Sequence, residues 1–229
     1  MQVGTDRCPD GKDESMTKTT TNRVAGVGER IHVRLTLTEE ALGMSPADPE
    51  VYSRFIASKA PEQDLSQEEL DAIEGTEQPE DQTTVFPRTE DGAPFCWDYQ
   101  IKGFFKDACG ALRRVPGTRS SKLTAFKKVI DGTIFVGPRV IPFALPEGAS
   151  CGRCERPLRA STAMGERVAL AASETVPAGT VLDFEVLVMN PKDAETVREW
   201  LDYGQLRGLF QWRNSGKGRF VWEEVEDAE

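Results

Sequence analysis

A glycine-rich segment near the end of the chain, GLFQWRNSGKG at residues 208–218, combines the residue types that bind phosphate. Glycine tolerates positive φ and lets other atoms approach the backbone closely. Exposed backbone N–H groups, together with the cations Arg213 and Lys217, can cradle phosphate oxygens, and this points to a nucleic-acid backbone. The competing interpretation is an ordinary turn, because a helix-like segment precedes the loop and a strand-like run, Arg219–Trp222, follows it.

The net charge of −10 by itself argues against a nucleic-acid ligand. The charge is unevenly distributed, however: −12 over residues 1–98, +7 over residues 99–220 and −5 over the last nine residues. A partner feels the local field rather than the total charge, so the basic half can still attract phosphates. The alternative is a globular domain on which acidic and basic surface simply lie side by side.

The five cysteines do not indicate a disulfide framework, because their number is odd in a chain of 229 residues. Cys151 and Cys154 form one CxxC pair, whereas a structural zinc site usually needs two such pairs or a pair with histidines. We therefore expect free thiols and no cofactor. Cys151 and Cys154 stay open as weak zinc candidates, with redox chemistry as a further alternative.

No apolar run approaches the roughly 20 residues that a membrane-spanning helix needs. The N-terminus has no apolar core of the kind found in signal peptides. These features predict a soluble, cytoplasmic protein without a membrane partner.

The periodicity of apolar residues predicts an α+β fold. Ile31–Thr38 alternates apolar and polar residues, which predicts a half-buried strand with His32 and Arg34 on its polar face. Residues 98–114 and 193–207 show helical spacing. We expect an antiparallel sheet with helices packed on one face and the other face available, an arrangement that often serves as a platform for single-stranded RNA.

The composition divides the chain into a folded part and polar additions. Residues 1–28 are polar and charged, which predicts a flexible tail. Residues 29–225 are expected to form a single domain with an acidic insertion near 59–94 and an arm near 142–166, most of which we expect to be irregular. Residues 226–229 would be an acidic tail.

Three segments occur in an order that matches a known superfamily. QIKGFFKDACGALRR at 100–114 is similar to a small-residue, Lys-Gly, helix-opening motif, and SETVPAGTVLDFEVLVM at 173–189 resembles a Glu–Val-Pro-x-Gly-Thr turn with its following strand. The loop at 208–218 resembles a C-terminal glycine-rich loop. With these motifs the chain resembles the RAMP (repeat-associated mysterious protein) superfamily of CRISPR systems, most of all the backbone subunit that polymerises along guide RNA.

The resemblance implies a modified ferredoxin-like (RRM-like) fold with loop insertions. It also implies single-stranded RNA, such as a guide RNA, as a ligand and other copies of the chain or other CRISPR-type subunits as partners. The sequence departs from the superfamily pattern at Phe210, where glycine is common, and at Lys217, where an apolar residue is common.

Residues of three kinds form the predicted RNA-binding set. Arginine and lysine would contact phosphates, arginine through its planar fork, and Trp212 would stack on a base, while loop glycines would let the backbone approach. The predicted set is His32, Arg34, Lys102, Lys106, Arg139, Arg156, Arg159, Arg167, Gly208, Trp212, Arg213, Asn214, Gly216, Lys217, Gly218 and Arg219.

Two other functions stay open. The same fold could belong to a virus or mobile element and act as an interaction protein that mimics or blocks a CRISPR complex. It could also be an endoribonuclease of the superfamily, for which His32 is the one histidine able to act as general base. We assign no catalytic residue, since no nucleophile elbow, phosphate-binding Walker loop or zinc-protease motif occurs in the sequence.

Overall fold

The computed structural model describes residues 28–46, 83–162 and 165–225, with side chains placed in these ranges except at residue 83 and residues 158–170. The expected tail over residues 1–28 lies outside the described residues except for Gly28. Most of the expected acidic insertion and the whole tail over 226–229 also lie outside them.

Eleven strands and three α-helices occur among the described residues. The strands are β1 (Glu29–Leu37), β2 (Ala41–Leu42), β3 (Ser45–Pro46), β4 (Thr83–Val85), β5 (Phe95–Trp97), β6 (Ile134–Gly137), β7 (Val140–Pro142), β8 (Gly152–Thr162), β9 (Gly165–Val176), β10 (Val181–Val188) and β11 (Phe220–Glu224). The helices are α1 (Asp98–Leu112), α2 (Phe126–Thr133) and α3 (Ala194–Arg207).

The central sheet has four antiparallel strands in the order β11–β1–β10–β6. Residues in β1 alternate between buried and partly exposed, and Val33 lies opposite Phe184 while Arg34 lies opposite Asp183. Because side chains alternate between the two faces of a strand, this register gives the sheet one apolar face and one charged face.

Helices α1 and α3 cover the apolar face of this sheet. Phe104 of α1 meets Phe220 of β11 edge to face, with ring centroids 5.4 Å apart, and Phe105 lies 5.5 Å from the ring of Trp200 in α3. Trp200 and Phe105 are fully buried. The charged face of the sheet has no helix of the described chain packed on it.

A second sheet lies beside the first and is built around a long hairpin. Strands β8 and β9 pair over their full lengths, from Gly152 opposite Thr175 to Thr162 opposite Gly165. The other edge of β9 pairs with β2 in antiparallel and with β4 in parallel orientation. A separate two-stranded pair joins β5 to β7. The base of the hairpin is thus held in the body of the protein.

The α+β class predicted from the sequence is confirmed, and the predicted strand at Ile31–Thr38 and the helices over 98–114 and 193–207 agree with β1, α1 and α3 within a few residues. The irregular structure expected over residues 142–165 is wrong for Gly152–Thr162, which forms β8. Its inward positions include the polar residues Cys154 and Arg156, so the apolar alternation that announces a strand is missing.

Among the described helices, none combines the length and the hydropathy that crossing a bilayer requires.

Candidate functional site

The glycine-rich loop is a tight closure between α3 and β11. Helix α3 ends at Arg207 and is followed by Gly208, which has φ +77°. The loop is closed by a hydrogen bond of 2.8 Å from Leu209 N–H to the Gly218 carbonyl. A Cβ atom at Gly208 would lie 2.4 Å from the Lys217 carbonyl oxygen, and one at Gly218, where φ is +70°, would lie 2.3 Å from the Leu209 carbonyl oxygen. Only glycine fits both the backbone conformation and the close approach at these positions.

Two aromatic residues of the loop also adopt positive φ and have opposite environments. Phe210 (φ +62°) is buried and packs edge-on against Phe86 at 5.5 Å, which anchors the loop in the core. Trp212 (φ +55°) is 40% exposed. The left-handed conformation of non-glycine residues is strained, and such strain clusters at functional sites. The loop therefore holds one aromatic ring inside and presents the other to solvent.

The side chain of Arg156, in β8, reaches into this loop and is unusual because it is a buried charge. Its side chain donates hydrogen bonds to Gln211 Oε1 at 2.6 Å and to Ser173 Oγ at 3.4 Å, and its guanidinium lies 5.3 Å from the centre of the Trp212 ring. Arg156 is 7% exposed. Within the described part of the chain its partners are all neutral, so a buried positive charge is left without a counter-charge.

The other loop cations have carboxylate partners. Asp107 Oδ2 accepts from Arg213 at 3.0 Å and from Arg207 at 2.8 Å, and the hydrogen bond to Asp107 raises the pKa of Arg207. Arg207 also donates to Asn214 Oδ1 at 2.5 Å. One carboxylate thus serves two arginines, and the pair keeps an excess positive charge.

Lys217 is paired with Glu40, and the hydrogen bond to that carboxylate raises the pKa of Lys217. Arg219, at the end of the loop, is exposed and makes no ion pair with a described residue. The loop and its contacts therefore contain five cations against two contacting carboxylates. The cations are Arg156, Arg207, Arg213, Lys217 and Arg219, and the carboxylates are Glu40 and Asp107, with Glu39 acting on Lys217 from further away. The end of the domain at this loop has a local excess of positive charge.

The charged face of the central sheet, by contrast, is neutralised. Arg34 donates two hydrogen bonds to Asp183, at 2.9 and 3.3 Å, and this pairing raises the pKa of Arg34. His32 Nε2 lies 3.4 Å from the Glu185 carboxylate, which also pairs with Arg30. The structure therefore separates His32 and Arg34 from the loop and supplies each with a carboxylate.

The predicted cations of α1 lie towards the β6 edge of the sheet, whereas the loop leads into β11 at the other edge. Lys106 forms an ion pair of 2.6 Å with Asp131. Lys102 donates to the Asp131 carbonyl at 3.3 Å and lies 5.2 Å from the centre of the Phe135 ring, and burial lowers its pKa. Three strand spacings separate the two edges, about 14 Å.

Arg139 also lies at the β6 edge, in a cluster that sequence analysis did not single out. Its guanidinium pairs with Asp98 at 2.6 Å and lies over the rings of Trp97, at 5.3 Å, and Tyr99, at 5.4 Å. The two rings stack at an interplanar angle of 14°. Arg139 is therefore already engaged by one carboxylate and two aromatic rings.

The remaining predicted residues lie on the hairpin or at its base. Arg159 pairs with Val168 and Arg167 with Ala160 in the β8–β9 ladder, and their side chains lie outside the described ones. Cys151 Sγ accepts a hydrogen bond of 3.6 Å from Arg88, and burial raises the pKa of this thiol. No group of three or more potential metal ligands occurs among the described residues.

The structure thus brings together part of the predicted set: Arg156, Gly208, Trp212, Arg213, Asn214, Gly216, Lys217, Gly218 and Arg219. The predicted set did not include three side chains that contact these cations, namely Gln211, Asp107 and Glu40. Gln211 lies inside the glycine-rich segment, so the motif itself could have identified it. Glu40 and Asp107 carry no local signal, because they come from β1's exit and from α1, far away in the sequence.

Comparison with known proteins identifies the fold but no relative in sequence. No family model matches the chain, and no curated protein matches it. The chain is similar to one in the cryo-EM structure of the Type III-B Cmr-beta bound to cognate target RNA, with a TM-score of 0.52 and 9% identity over 87% of this chain. It covers 60% of the length of that chain. A chain of a Type IV-B CRISPR complex matches with a TM-score of 0.44 and 13% identity, over 88% of this chain and 92% of the other.

Proposed function

We propose that this protein binds single-stranded RNA at the glycine-rich loop, as a subunit of a CRISPR-type complex. The observation that carries the proposal is Arg156, a buried guanidinium that reaches the loop and whose hydrogen-bond partners among the described residues are neutral. A buried cation without a counter-charge is costly unless an anion completes the site. A phosphate of RNA is the anion that fits best, because the guanidinium fork matches phosphate oxygens.

The surroundings of Arg156 support a polymer rather than an isolated ion. Trp212 presents an exposed ring beside the guanidinium, and an aromatic ring offers a stacking surface to any base. Gly216, with φ +85°, is partly exposed in the same loop and lets a sugar-phosphate chain approach the backbone there. Phosphate contact and base stacking together are the usual means of holding a single strand.

The topology supports a ferredoxin-like fold of the RAMP type. The central strands and their helices occur in the chain order β1, α1, β6, β10, α3, β11, and the sheet order places the fourth of these strands beside the first and the third beside the second. The likeness to a chain of the Type III-B Cmr-beta assembly, which is bound to cognate target RNA, agrees with this proposal. Guide RNA and further CRISPR-type subunits are the partners we propose.

The proposed contact lies at one end of the domain and not on the charged face of the sheet. Arg30, His32 and Arg34 on that face lie against Asp183 and Glu185, so little net positive charge is left there for phosphates. We accordingly remove His32 and Arg34 from the proposed RNA-binding set and keep the residues that gather at the loop.

The test is the salt dependence of RNA binding, measured by fluorescence anisotropy with a labelled single strand. Arg156→Gln should lower affinity by at least about tenfold, since a charged hydrogen bond contributes about 1.5–3 kcal/mol. It should also make the slope of log K against log salt shallower by about 0.7, the value for one phosphate on a single strand.

The matched control is Arg153→Gln on the same strand. Arg153 Nε donates to Glu155 at 2.9 Å, so its charge is already compensated and its loss should change affinity by less than about twofold. Equal effects of the two variants would mean that binding responds to net charge alone. No binding by the parent protein at low salt would remove the proposed function altogether.

A further inference from the structure

A second basic surface runs from the end of α1 into the first turn of α2, and none of its residues belongs to the predicted RNA-binding set. Residues 113–128 contain six lysines and arginines and no aspartate or glutamate. All six side chains are exposed. We call this stretch the basic segment; its cations are Arg113, Arg114, Arg119, Lys122, Lys127 and Lys128.

Five of these six cations have no carboxylate partner among the described residues. Arg119 lies 3.4 Å from Glu195, the one ion pair that the basic segment forms with described residues. Arg113 packs over the Phe126 ring at 5.0 Å, a contact that leaves its charge uncompensated. By contrast, Arg34, Lys106, Arg139 and Lys217 all have carboxylate partners. The basic segment is therefore the strongest source of unbalanced positive charge on the described surface.

The backbone that presents these cations is fixed from within. Glu199 of α3 accepts from the backbone N–H groups of Arg119, at 2.6 Å, and Ser120, at 3.0 Å. The fully buried Ser120 hydroxyl donates to Glu199 at 2.6 Å and accepts from the Trp200 indole N–H at 2.9 Å. The backbone of a loop held in this way has little conformational entropy left to lose on binding.

The chemistry of the surface favours a polyphosphate over a protein partner. Protein interfaces are depleted in lysine and rely on buried aromatic or aliphatic anchors. The basic segment has three lysines, and Val115 is its one exposed large apolar side chain. Phosphate contacts need cations and no apolar anchor.

We propose that the basic segment is a second RNA-backbone contact, separate from the glycine-rich loop; this inference rests on the proposed function. Glu199 anchors the basic segment nine residues before the loop begins at Gly208, which places the anchor roughly 13 Å from the loop along the axis of α3. A single RNA strand that spans this distance would contact both surfaces. The contact is independent of base sequence, since it involves phosphates alone.

The test uses the full chain and a single-stranded RNA of about 20 nucleotides, longer than the roughly 4–16 nucleotides that one small domain covers. Two variants are compared with the parent: Lys127→Gln with Lys128→Gln, and the same pair with Arg114→Gln and Lys122→Gln added. At about 0.7 per phosphate, the salt slope should become shallower by up to about 1.4 and 2.8. The control, Arg30→Gln with Arg153→Gln, removes two carboxylate-paired cations and should leave the slope unchanged.

The outcomes separate this inference from the proposed function. One outcome would overturn only this inference: the parent binds RNA, Arg156→Gln weakens that binding, and the fourfold variant keeps the parental salt slope. The basic segment would then not contact RNA, while the proposed function would stand. If the fourfold variant keeps its slope and loses self-association in sedimentation velocity, the surface contacts protein and the inference is also overturned. If the parent protein binds no RNA, both the proposed function and this inference are overturned. Circular dichroism of each variant establishes that the fold is intact.

Discussion

At the scale of single residues, the loop depends on glycines whose conformations and neighbours admit no side chain. Gly218 has φ +70°, and an added Cβ would lie 2.3 Å from the Leu209 carbonyl oxygen. Gly148 has nearly the same φ, +72°, and an added Cβ there would meet nothing within 4 Å. Comparing alanine substitutions at these two glycines therefore separates the cost of backbone strain, which both would have, from the cost of the steric clash, which only Gly218 would have.

Gly218→Ala should therefore destabilise the protein more than Gly148→Ala. The control should lose about 1 kcal/mol from left-handed strain alone, and Gly218→Ala should lose that amount and a further roughly 1–3 kcal/mol from the forced shift of the loop. Urea denaturation followed by tryptophan fluorescence measures both. Equal losses in the two variants would show that the loop can relax around an added methyl group.

The sequence supplied the glycines and most of the loop residues, but it did not supply the charge balance. Arg213 and Lys217 have the same appearance in the sequence as Arg156, yet in the structure the first two are paired with carboxylates, whereas Arg156 has no carboxylate partner among the described residues. The difference arises from tertiary contacts with residues more than 100 positions away. The local sequence pattern could therefore identify candidate cations, but it could not predict which of them have a carboxylate partner.

At the scale of elements, the packing of α3 on the sheet explains a glycine in the middle of a helix. A Cβ at Gly204 would lie 1.9 Å from the Phe220 ring of β11, so the ring occupies the space of a side chain. Gly103 of α1 is exposed, and a Cβ there would meet nothing within 4 Å. Packing therefore requires glycine at position 204 and places no such requirement on position 103.

We expect opposite results when each is replaced by alanine. Gly103→Ala should stabilise the protein by about 0.5–1 kcal/mol, because alanine favours the helix. Gly204→Ala should destabilise it by about 1–3 kcal/mol, because the core is overpacked against Phe220. Thermal and urea unfolding of both variants test this, and a stabilising Gly204→Ala would contradict the packing of α3 on β11.

Elements with a clear apolar period could be predicted, and those without one could not. The strand β1 and the helices α1 and α3 follow from alternation or helical spacing. Strand β8 has the buried Arg156 at an inward position, so its pattern reads as a polar loop. Pairing with β9 along its whole length, and not intrinsic propensity, makes it a strand.

At the scale of the molecule, local charge matters more than the net charge of −10. The predicted basic surface separates into a neutralised sheet face, an edge where the cations are paired, and a glycine-rich loop with an excess of positive charge. The basic segment adds a second positive region, anchored to α3 roughly 13 Å before the loop. The whole-chain sequence indicated a basic half, but only the fold decides which of its cations face solvent without a partner.

The central claim is the position of the RNA contact, and hydrogen–deuterium exchange with and without single-stranded RNA tests it most directly. We predict slower exchange over residues 208–218 and around Arg156, where bound RNA would restrict the loop and its contact to β8. Exchange in the strands β1 and β10, whose charged side chains are paired with one another, should change little. Protection confined to β1 and β10, with residues 208–218 unaffected, would contradict an RNA contact at the glycine-rich loop.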